Sequence, residues 1–537
     1  MFMRRKQFLS SFFWKSWFVL LVSLIMLAGC GSDAGKEPVN KESSKPTGSD
    51  KPVQETKKPN NDEKVTLRWV FPGPGKQKDS EEVWAAFNEK LKEYLPNTTV
   101  NFEVYPVAEY ADNWRLLAAS GEVIDLAWMG YVQDVAAEIN KGSYMALDDL
   151  LNDSPIVKQL PDWLMNLAKF DGKQYGIPNF QNVADVRMGI RIPKEFVDKG
   201  YIDPVQAEQI FTQYGVNSKE SYDVIEQYMA KLKEKGELRL GASTFSLSFA
   251  PGDRHGSLGS PFTLRGDFKD ASSLKVVNMF DTPEMKLMYD TAADWFKKGY
   301  IRKDILSVQN PRTDEGKPDG YVYWIHNVSA NQANFDSERY GFPIEVIPME
   351  QEDFITRPIY NTMTGITRTS KNPERAMQLL ELMHTKEGKE LYNLLVWGLE
   401  GKHCNKKENG RIETIGYAGQ GTADANYGLW KWVMGNTANS YETQADPENF
   451  NQMWQKLNED AHKSPVLEFK PNSESVKTEI AQVQAVVKEY NLSLQSGALP
   501  DHEKQYADFV EKMKKAGSDK VVTEYQRQLE QFISNQK

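Results

Sequence analysis

Two cysteines in 537 residues, Cys30 and Cys404, are too few for a disulfide-stapled scaffold, so the fold must rest on buried apolar cores. Histidine is nearly as scarce: six residues, scattered singly, form no metal-ligand cluster. The chain lacks HExxH, CxxC, GxSxG and any Walker-type loop, and DTPEMKLMYD does not have the ligand spacing of an EF-hand. No catalytic, cofactor or metal residues are therefore expected. Basic excess is missing too. With 65 Lys and Arg against 75 Asp and Glu, the net charge of -10 argues against nucleic acid as a partner. Beyond the first thirty residues no apolar run approaches the roughly 20 residues that span a bilayer.

What is present begins with MFMRRKQFLSSFFWKSWFVLLVSLIMLAGC: a basic cluster at Arg4, Arg5 and Lys6, an apolar core from Trp17 to Leu27, then small residues. That is the layout of a secretory signal. Its end, Leu27-Ala28-Gly29-Cys30, resembles a bacterial lipobox, which implies cleavage before Cys30 and a diacylglycerol on its thiol. An ordinary signal peptide, or an anchor helix that happens to end in cysteine, is the alternative. The stretch up to Lys64 is rich in Lys, Glu, Ser, Pro and Asn and offers almost nothing to a core, so it reads as a disordered leash. One acyl chain binds a membrane only marginally, on the order of 10⁴ M⁻¹, so stable anchoring calls for the several chains of a lipoprotein.

The body alternates strand and helix. VTLRWVF reads as a strand ending in the breakers Pro72 to Gly75. Val83, Trp84, Phe87, Leu91 and Leu95 then fall at helical spacing, with Ser80 expected as the N-cap. Val100, Phe102 and Val104 alternate as in a half-buried strand, a helix runs to Gly121, and VIDLAWMG reads as a buried strand. This order predicts an α/β fold with a mainly parallel sheet and helices on both faces, in which ligands bind beyond the carboxyl ends of the strands, near Phe71 to Lys76 and Trp128 to Tyr131. Further on, a helix should end at Gly299, DGYVYWIHN should form a strand, and Ala376, Leu379, Leu380 and Met383 mark another helix. The final part is largely helical, with Ile480, Val483 and Val487 on one face.

LAGC, the leash, TLRWVF, ASGEVIDLAW, NKGSYMALDDLL, DGKQYGIPN and SKNPERAMQLLELMHTKEGKELYN, in this order, resemble the extracellular solute-binding proteins of carbohydrate ABC importers, the maltose-binding-protein superfamily. YNLLVWGLEGKH, GLWKWVMGN, SPVLEFKPNSESVKTEIAQV and a KKAGSDKV turn bring it nearest to the large LipO-type lipoproteins of Gram-positive bacteria. One departure is Cys404, where members of that group usually carry tyrosine; a small buried residue would serve there.

The resemblance implies a two-lobed periplasmic-binding-protein-like fold with hinge strands, closing on a solute. Its expected division is a signal peptide over 1–29, a lipidated Cys30 and linker over 30–64, a first lobe from 65–180 plus 319–370, and a second lobe from 181–318 plus 371–537 with a helical C-terminal extension. Hinge crossings are expected near Pro178 to Gln181, Asp319 to Tyr321 and Thr369 to Pro373. The implied partners are an oligosaccharide, ABC permease subunits with a separate ATPase, and the membrane through the lipid. A monomer on the outer face of the cytoplasmic membrane, acting without catalysis, is the expectation.

Sugar sites combine aromatic platforms with polar side chains, and the 13 Trp, 23 Tyr and 25 Phe supply candidates for both core and cleft. Trp128, at the mouth of a strand, and Tyr131 after it lead the list. Phe180 and Gln181 follow the first hinge beside Asn179, although a capped turn with Phe180 buried fits as well. Trp324 and Asn327 flank His326 on a hinge-proximal strand. From the second lobe come Trp397, near Glu400 and His403, and Trp430; since tryptophans two apart on a helix do not share a face, at most one of Trp430 and Trp432 should reach the cleft. A cell-surface glycoside hydrolase or lyase is the alternative, because paired carboxylates are inevitable among 75 acidic residues. A structural or adhesive surface lipoprotein, with no saturable small ligand, is a third reading.

Overall fold

A computed structural model describes residues 63–184, 188–239, 241–242, 258–307, 322–328, 331–350, 354–355, 359–416 and 425–536 of the chain. Cys30, the signal and leash, and the crossing expected at Asp319 to Tyr321 lie outside the described residues, as does the side chain of Asn327. In chain order the strands are β1 (Val65–Gly73), β2 (Thr98–Pro106), β3 (Leu126–Gly130), β4 (Ile177–Pro178), β5 (Met188–Pro193), β6 (Phe262–Arg265), β7 (Lys275–Asn278), β8 (Trp324–Asn327), β9 (Ile344–Pro348), β10 (Phe354–Ile355), β11 (Thr362–Ile366), β12 (Cys404–Lys406), β13 (Ile412–Thr414) and β14 (His462–Lys463).

The first lobe is built on a sheet in the order β2-β1-β3-β11-β4. β1 pairs in parallel with β2 and β3, while β11 runs antiparallel to β3 and β4. Its central strands read as continuous apolar runs because both faces are covered: Leu67, Trp69, Val70 and Phe71 of β1 are all buried. The helix Ser80–Leu91 lays Val83, Trp84, Phe87 and Leu91 on this core, at the spacing of one helix face. Ser80 is its first helical residue rather than its cap. The residue before it is Asp79, whose carboxylate is engaged by His403 and Lys402. The helix Val107–Ser120 ends at Gly121, which takes the left-handed φ of 71° that the sequence position called for.

The second lobe has its own core around the antiparallel sheet β8-β5-β9, the hairpin β6-β7 and the helices Pro204–Tyr214, Lys219–Glu234 and Pro283–Lys298. The last three helices, Lys477–Ser496, His502–Lys515 and Ser518–Asn535, complete that core with Val483, Leu494, Phe509, Met513, Val521 and Leu529. They are a wall of the second lobe, not an extension beyond it.

The lobe boundaries differ from those expected. β8 and β9, placed by the sequence reading in the first lobe, pair with β5 and bury Ile325 and Ile347 in the second core. Conversely, the helices Pro373–His384, Lys389–Trp397 and Phe450–Asp460, expected in the second lobe, bury Leu379, Leu380, Leu391, Leu395 and Trp454 in the first. A helical stripe shows that a face is buried, but not which sheet buries it. The return crossing therefore falls at β10, where Phe354 packs toward the second core and Ile355 lies in the first. The last crossing falls at β14, which pairs in parallel with β10, and not at Thr369 to Pro373.

Candidate functional site

At the carboxyl end of β3 the chain must turn tightly, and Gly130 makes this possible: a Cβ there would lie 2.1 Å from the carbonyl oxygen of Asn361 and 2.3 Å from the Trp128 ring. The next residue, Tyr131, has its amide held by that same Asn361 carbonyl at 3.0 Å, and its side chain remains 56% exposed. Tyr131 stands edge-on to Trp128, with ring centroids 5.8 Å apart, and leans on Trp432 at 6.1 Å. Trp432 in turn stacks on Trp430 at 5.5 Å and 14°. These rings form an aromatic shelf at the strand end where an α/β sheet binds ligands.

Trp128 belongs to the shelf's foundation. It is fully buried, its indole Nε1 donates to Thr362 Oγ1 at 2.8 Å, and its ring edge meets Trp432 at 6.3 Å. A ligand has no surface of Trp128 to touch, so its expected contact role passes to the rings it carries. The Thr362 hydroxyl also accepts from Asn179 Nδ2 at 3.1 Å and donates to the Trp432 carbonyl at 3.2 Å, which fixes β11, the first crossing and the indole pair to one another. Burial pushes the Tyr110 hydroxyl well above its ordinary pKa, and this phenol supports the strand end by donating to the Trp128 carbonyl at 2.5 Å.

Trp430 and Trp432 share a surface because Trp430 is not helical. It caps the four-residue helix Lys431–Met434 with extended backbone, φ -72° and ψ 110°, so the helical spacing argument that separated the two does not apply. Trp432 is the contact candidate that the sequence reading set aside; the repeat WKW was its signal. Lys431 between them lies over the Phe450 ring at 5.7 Å, and loss of water lowers its amine pKa against the opposing pull of Asp446 and Glu442.

The other candidates sit elsewhere. Phe180 is buried edge-on against Trp454 at 5.0 Å, and the Gln181 carbonyl accepts from Asn458. Trp324 is buried in the second lobe with the Arg191 guanidinium 5.5 Å from its ring centre. Trp397 is buried in the first core, its Nε1 donating to Ser440 Oγ at 3.1 Å. His403 accepts the Leu399 amide on Nδ1 at 3.0 Å, which leaves Nε2 to donate to Asp79 at 3.1 Å and fixes the neutral tautomer. Cys404 is buried, and burial raises its thiol pKa.

The segment carrying the indole pair continues to the second lobe. Asn331 Nδ2, at the start of the helix Gln332–Tyr340, donates to the Ala445 carbonyl at 2.9 Å, and Asn334 Nδ2 supports Asn331 Oδ1 at 2.9 Å. The segment that follows the shelf is thereby tied to the second lobe. Among the described residues no three His, Cys, Asp or Glu side chains come together as metal ligands. The arrangement offers flat apolar faces with a phenolic hydroxyl at the rim, which suits a pyranose ring.

Two α/β lobes joined by repeated crossings, with an aromatic shelf at the strand ends of the first, have the fold of two-lobed solute-binding proteins. The chain is similar to extracellular solute-binding proteins in sequence and in fold. It is 24% identical over 489 residues to a "Carbohydrate ABC transporter substrate-binding protein" of Streptococcus pneumoniae serotype 4, covering 86% of this chain and 90% of that one. It is 22% identical over 414 residues to the "Polygalacturonan/rhamnogalacturonan-binding protein YtcQ" of Bacillus subtilis, covering 73% and 75%. The fold matches the N-glycan transport solute-binding protein NgtS of Streptococcus pneumoniae in complex with Man5GlcNAc, with a TM-score of 0.69 and 23% identity over 88% of this chain and 99% of that one. Residues 465–534, the three-helix wall of the second lobe, match the model of a "Domain of unknown function (DUF3502)".

Proposed function

We propose that this chain is the substrate-binding component of an ABC importer, holding an oligosaccharide between its lobes and delivering it to a membrane permease. The observation that carries this reading is the shelf at the carboxyl end of β3, an exposed Tyr131 leaning on Trp432, which is half-buried and stacked on Trp430. Tyr131 and Trp432 would stack on the C–H faces of a sugar, with Trp430 backing Trp432. The relatives support the ligand class: one is named for carbohydrate, one for polygalacturonan and rhamnogalacturonan, and NgtS was solved with a mannose-containing glycan. The work done is binding and closure, with no covalent step.

Lipidation of Cys30, in the manner of LipO-type lipoproteins, would tether the receptor to the outer face of the cytoplasmic membrane as a monomer. This reading assigns the anchor to the lipid on Cys30; no helix among the described residues is long and apolar enough to cross a membrane. The permease and its ATPase would be separate chains.

The test is a thermal-shift titration of the full-length protein in detergent with Man5GlcNAc, oligogalacturonides and fructo-oligosaccharides, with product analysis of the same samples. Ligand at 100 times its Kd adds about 2.7 kcal/mol of apparent stability. A shift with the sugar recovered intact is the expected result. Cleavage would make the chain an enzyme, and no shift with any of these sugars would remove the oligosaccharide reading.

A further inference from the structure

A cavity of about 430 Å³ opens on the first lobe, and its lining includes none of the shelf rings. It lies where three stretches of chain meet: the start of the helix Lys389–Trp397, the turn between β12 and β13, and the loop that leads from Ser440 to the helix Phe450–Asp460. Its walls are bound to one another. The Arg411 guanidinium donates to the carbonyls of Asp446 at 2.6 Å and Pro447 at 2.8 Å, and to the Glu442 carboxylate at 3.3 Å. Asn451 is fixed on three sides: its backbone N–H donates to Glu442 Oε1 at 2.9 Å, its Nδ2 donates to the Ser440 carbonyl at 2.9 Å, and its Oδ1 accepts from Trp454 Nε1 at 3.2 Å. A wall held in this way loses little freedom when a ligand arrives.

Other groups of the lining are left for a ligand. Among the described residues, the side chains of Lys389, Glu448 and Asn449 make no hydrogen bond or ion pair. Asn449 holds the left-handed φ of 59° at the head of the helix Phe450–Asp460, yet its side chain does not cap that helix. Glycine would take this backbone at less steric cost, so the turn itself does not call for the amide. Asn409 accepts from the Arg411 backbone N–H at 3.1 Å and from Gln444 Nε2 at 3.2 Å on its oxygen, which leaves its amino group to donate. Tyr441 supplies the aromatic ring, with Lys389 Nζ 5.3 Å and Lys406 Nζ 4.8 Å from its centre.

The charges that line the cavity balance, Arg411 against Glu442 and Lys389 against Glu448, so no field of one sign selects an ion. Donors and acceptors stand together around a phenol ring. A ligand that both donates and accepts at each polar group, and that carries an apolar C–H face, matches this set, and the volume falls in the range of small-molecule sites. We propose that the cavity is a second carbohydrate site, which takes a neutral mono- or disaccharide unit against Tyr441 with Lys389, Asn409, Glu448 and Asn449 on its hydroxyls. The site is separate from the shelf, and it stands or falls independently of a transported sugar bound there.

The test uses the full-length protein in detergent, labelled with 3-fluorotyrosine and titrated by fluorine NMR with maltose, cellobiose, mannobiose, diacetylchitobiose and digalacturonate. Tyr441→Phe and Tyr131→Phe assign the resonances that report the cavity and the shelf. A saturable shift of the Tyr441 resonance with a neutral sugar, retained in Trp432→Ala, is the expected result. Lys389→Ala and Asn449→Gly should each weaken that binding about fivefold, the size of one lost hydrogen bond. Asn449→Gly separates binding from folding: relief of the left-handed backbone and the added freedom of the unfolded chain oppose each other, so the Tm should change little while affinity falls. A Tyr441 resonance that none of these sugars moves would overturn the proposal, as would a shift lost in Trp432→Ala or a response confined to digalacturonate. Unchanged affinity in both Lys389→Ala and Asn449→Gly would do the same. A Tyr441 shift with Tyr131 silent would uphold the cavity and count against the shelf.

Discussion

His384 closes the helix Pro373–His384 inside the first core, fully buried, and neither ring nitrogen has a hydrogen-bond partner. Burial pushes its pKa from 6.5 down to about 3. The folded protein therefore keeps the imidazole neutral under conditions where the unfolded chain protonates it. Stability from this group is complete above the unfolded pKa and falls as pH drops from about 6.5 toward 3, because the unfolded state binds more protons in that window. With these two values, the loss at about pH 5 relative to about pH 7.5 is roughly 2 kcal/mol. If the first lobe melts as a unit, that corresponds to about 4–8 °C in Tm. His384→Leu removes the titration and fills a similar space. The assay is urea unfolding of both proteins at the two pH values, read as a difference of differences so that every other titrating group cancels. The stability of the variant relative to wild type should rise by about 2 kcal/mol on acidification. A difference that stays flat across this range would show that the imidazole finds a proton or a partner in the folded core, and would refute the reasoning.

Replacing Tyr131 or Trp432 by Ala should each weaken oligosaccharide binding by about 1 kcal/mol, roughly fivefold, with little change in unliganded Tm; isothermal titration checks this. Unchanged affinity in both would remove the shelf from the site. In the second lobe, Arg191 and Asp336 form a buried ion pair at 3.0 Å. Arg191→Met should cost about 3–5 kcal/mol by leaving a buried carboxylate uncompensated, whereas the double variant Arg191→Met with Asp336→Leu should regain most of it in urea unfolding. Cys30→Ala should release the protein into the medium, and a variant still found lipid-labelled in the membrane fraction would contradict the anchor.

The first lobe's opening was readable because its elements alternate in period. Val100 and Phe102 repeat every second residue, Val83 and Phe87 follow a helical face, and Gly121 and Gly299 stop their helices in the left-handed conformation the sequence positions imply. Lobe membership was not readable. Leu379 and Leu380 would satisfy either core, and the choice is made by β11 inserting between β3 and β4. At the site, position along the strand located the right region but not the right depth. Trp128 and Tyr131 are three residues apart, and one is sealed under the other. Trp432 was set aside by a helical rule that its neighbour's extended backbone does not obey. The cavity at Tyr441 gave no signal, because its walls come from three separate stretches of chain.

The interleaving of the lobes also orders events in time. β11 is the neighbour of both β3 and β4, so the first sheet stays open until residue 366 has been made, and its core lacks Trp454 for nearly ninety residues more. The second lobe waits longer still, since Ser518–Asn535, its last helix, packs against β7. The second lobe cannot complete itself until this last helix has been made, and long-range pairings of this kind form slowly. A polypeptide that cannot finish folding early remains threadable through a translocation channel, which the export proposed for this chain would require.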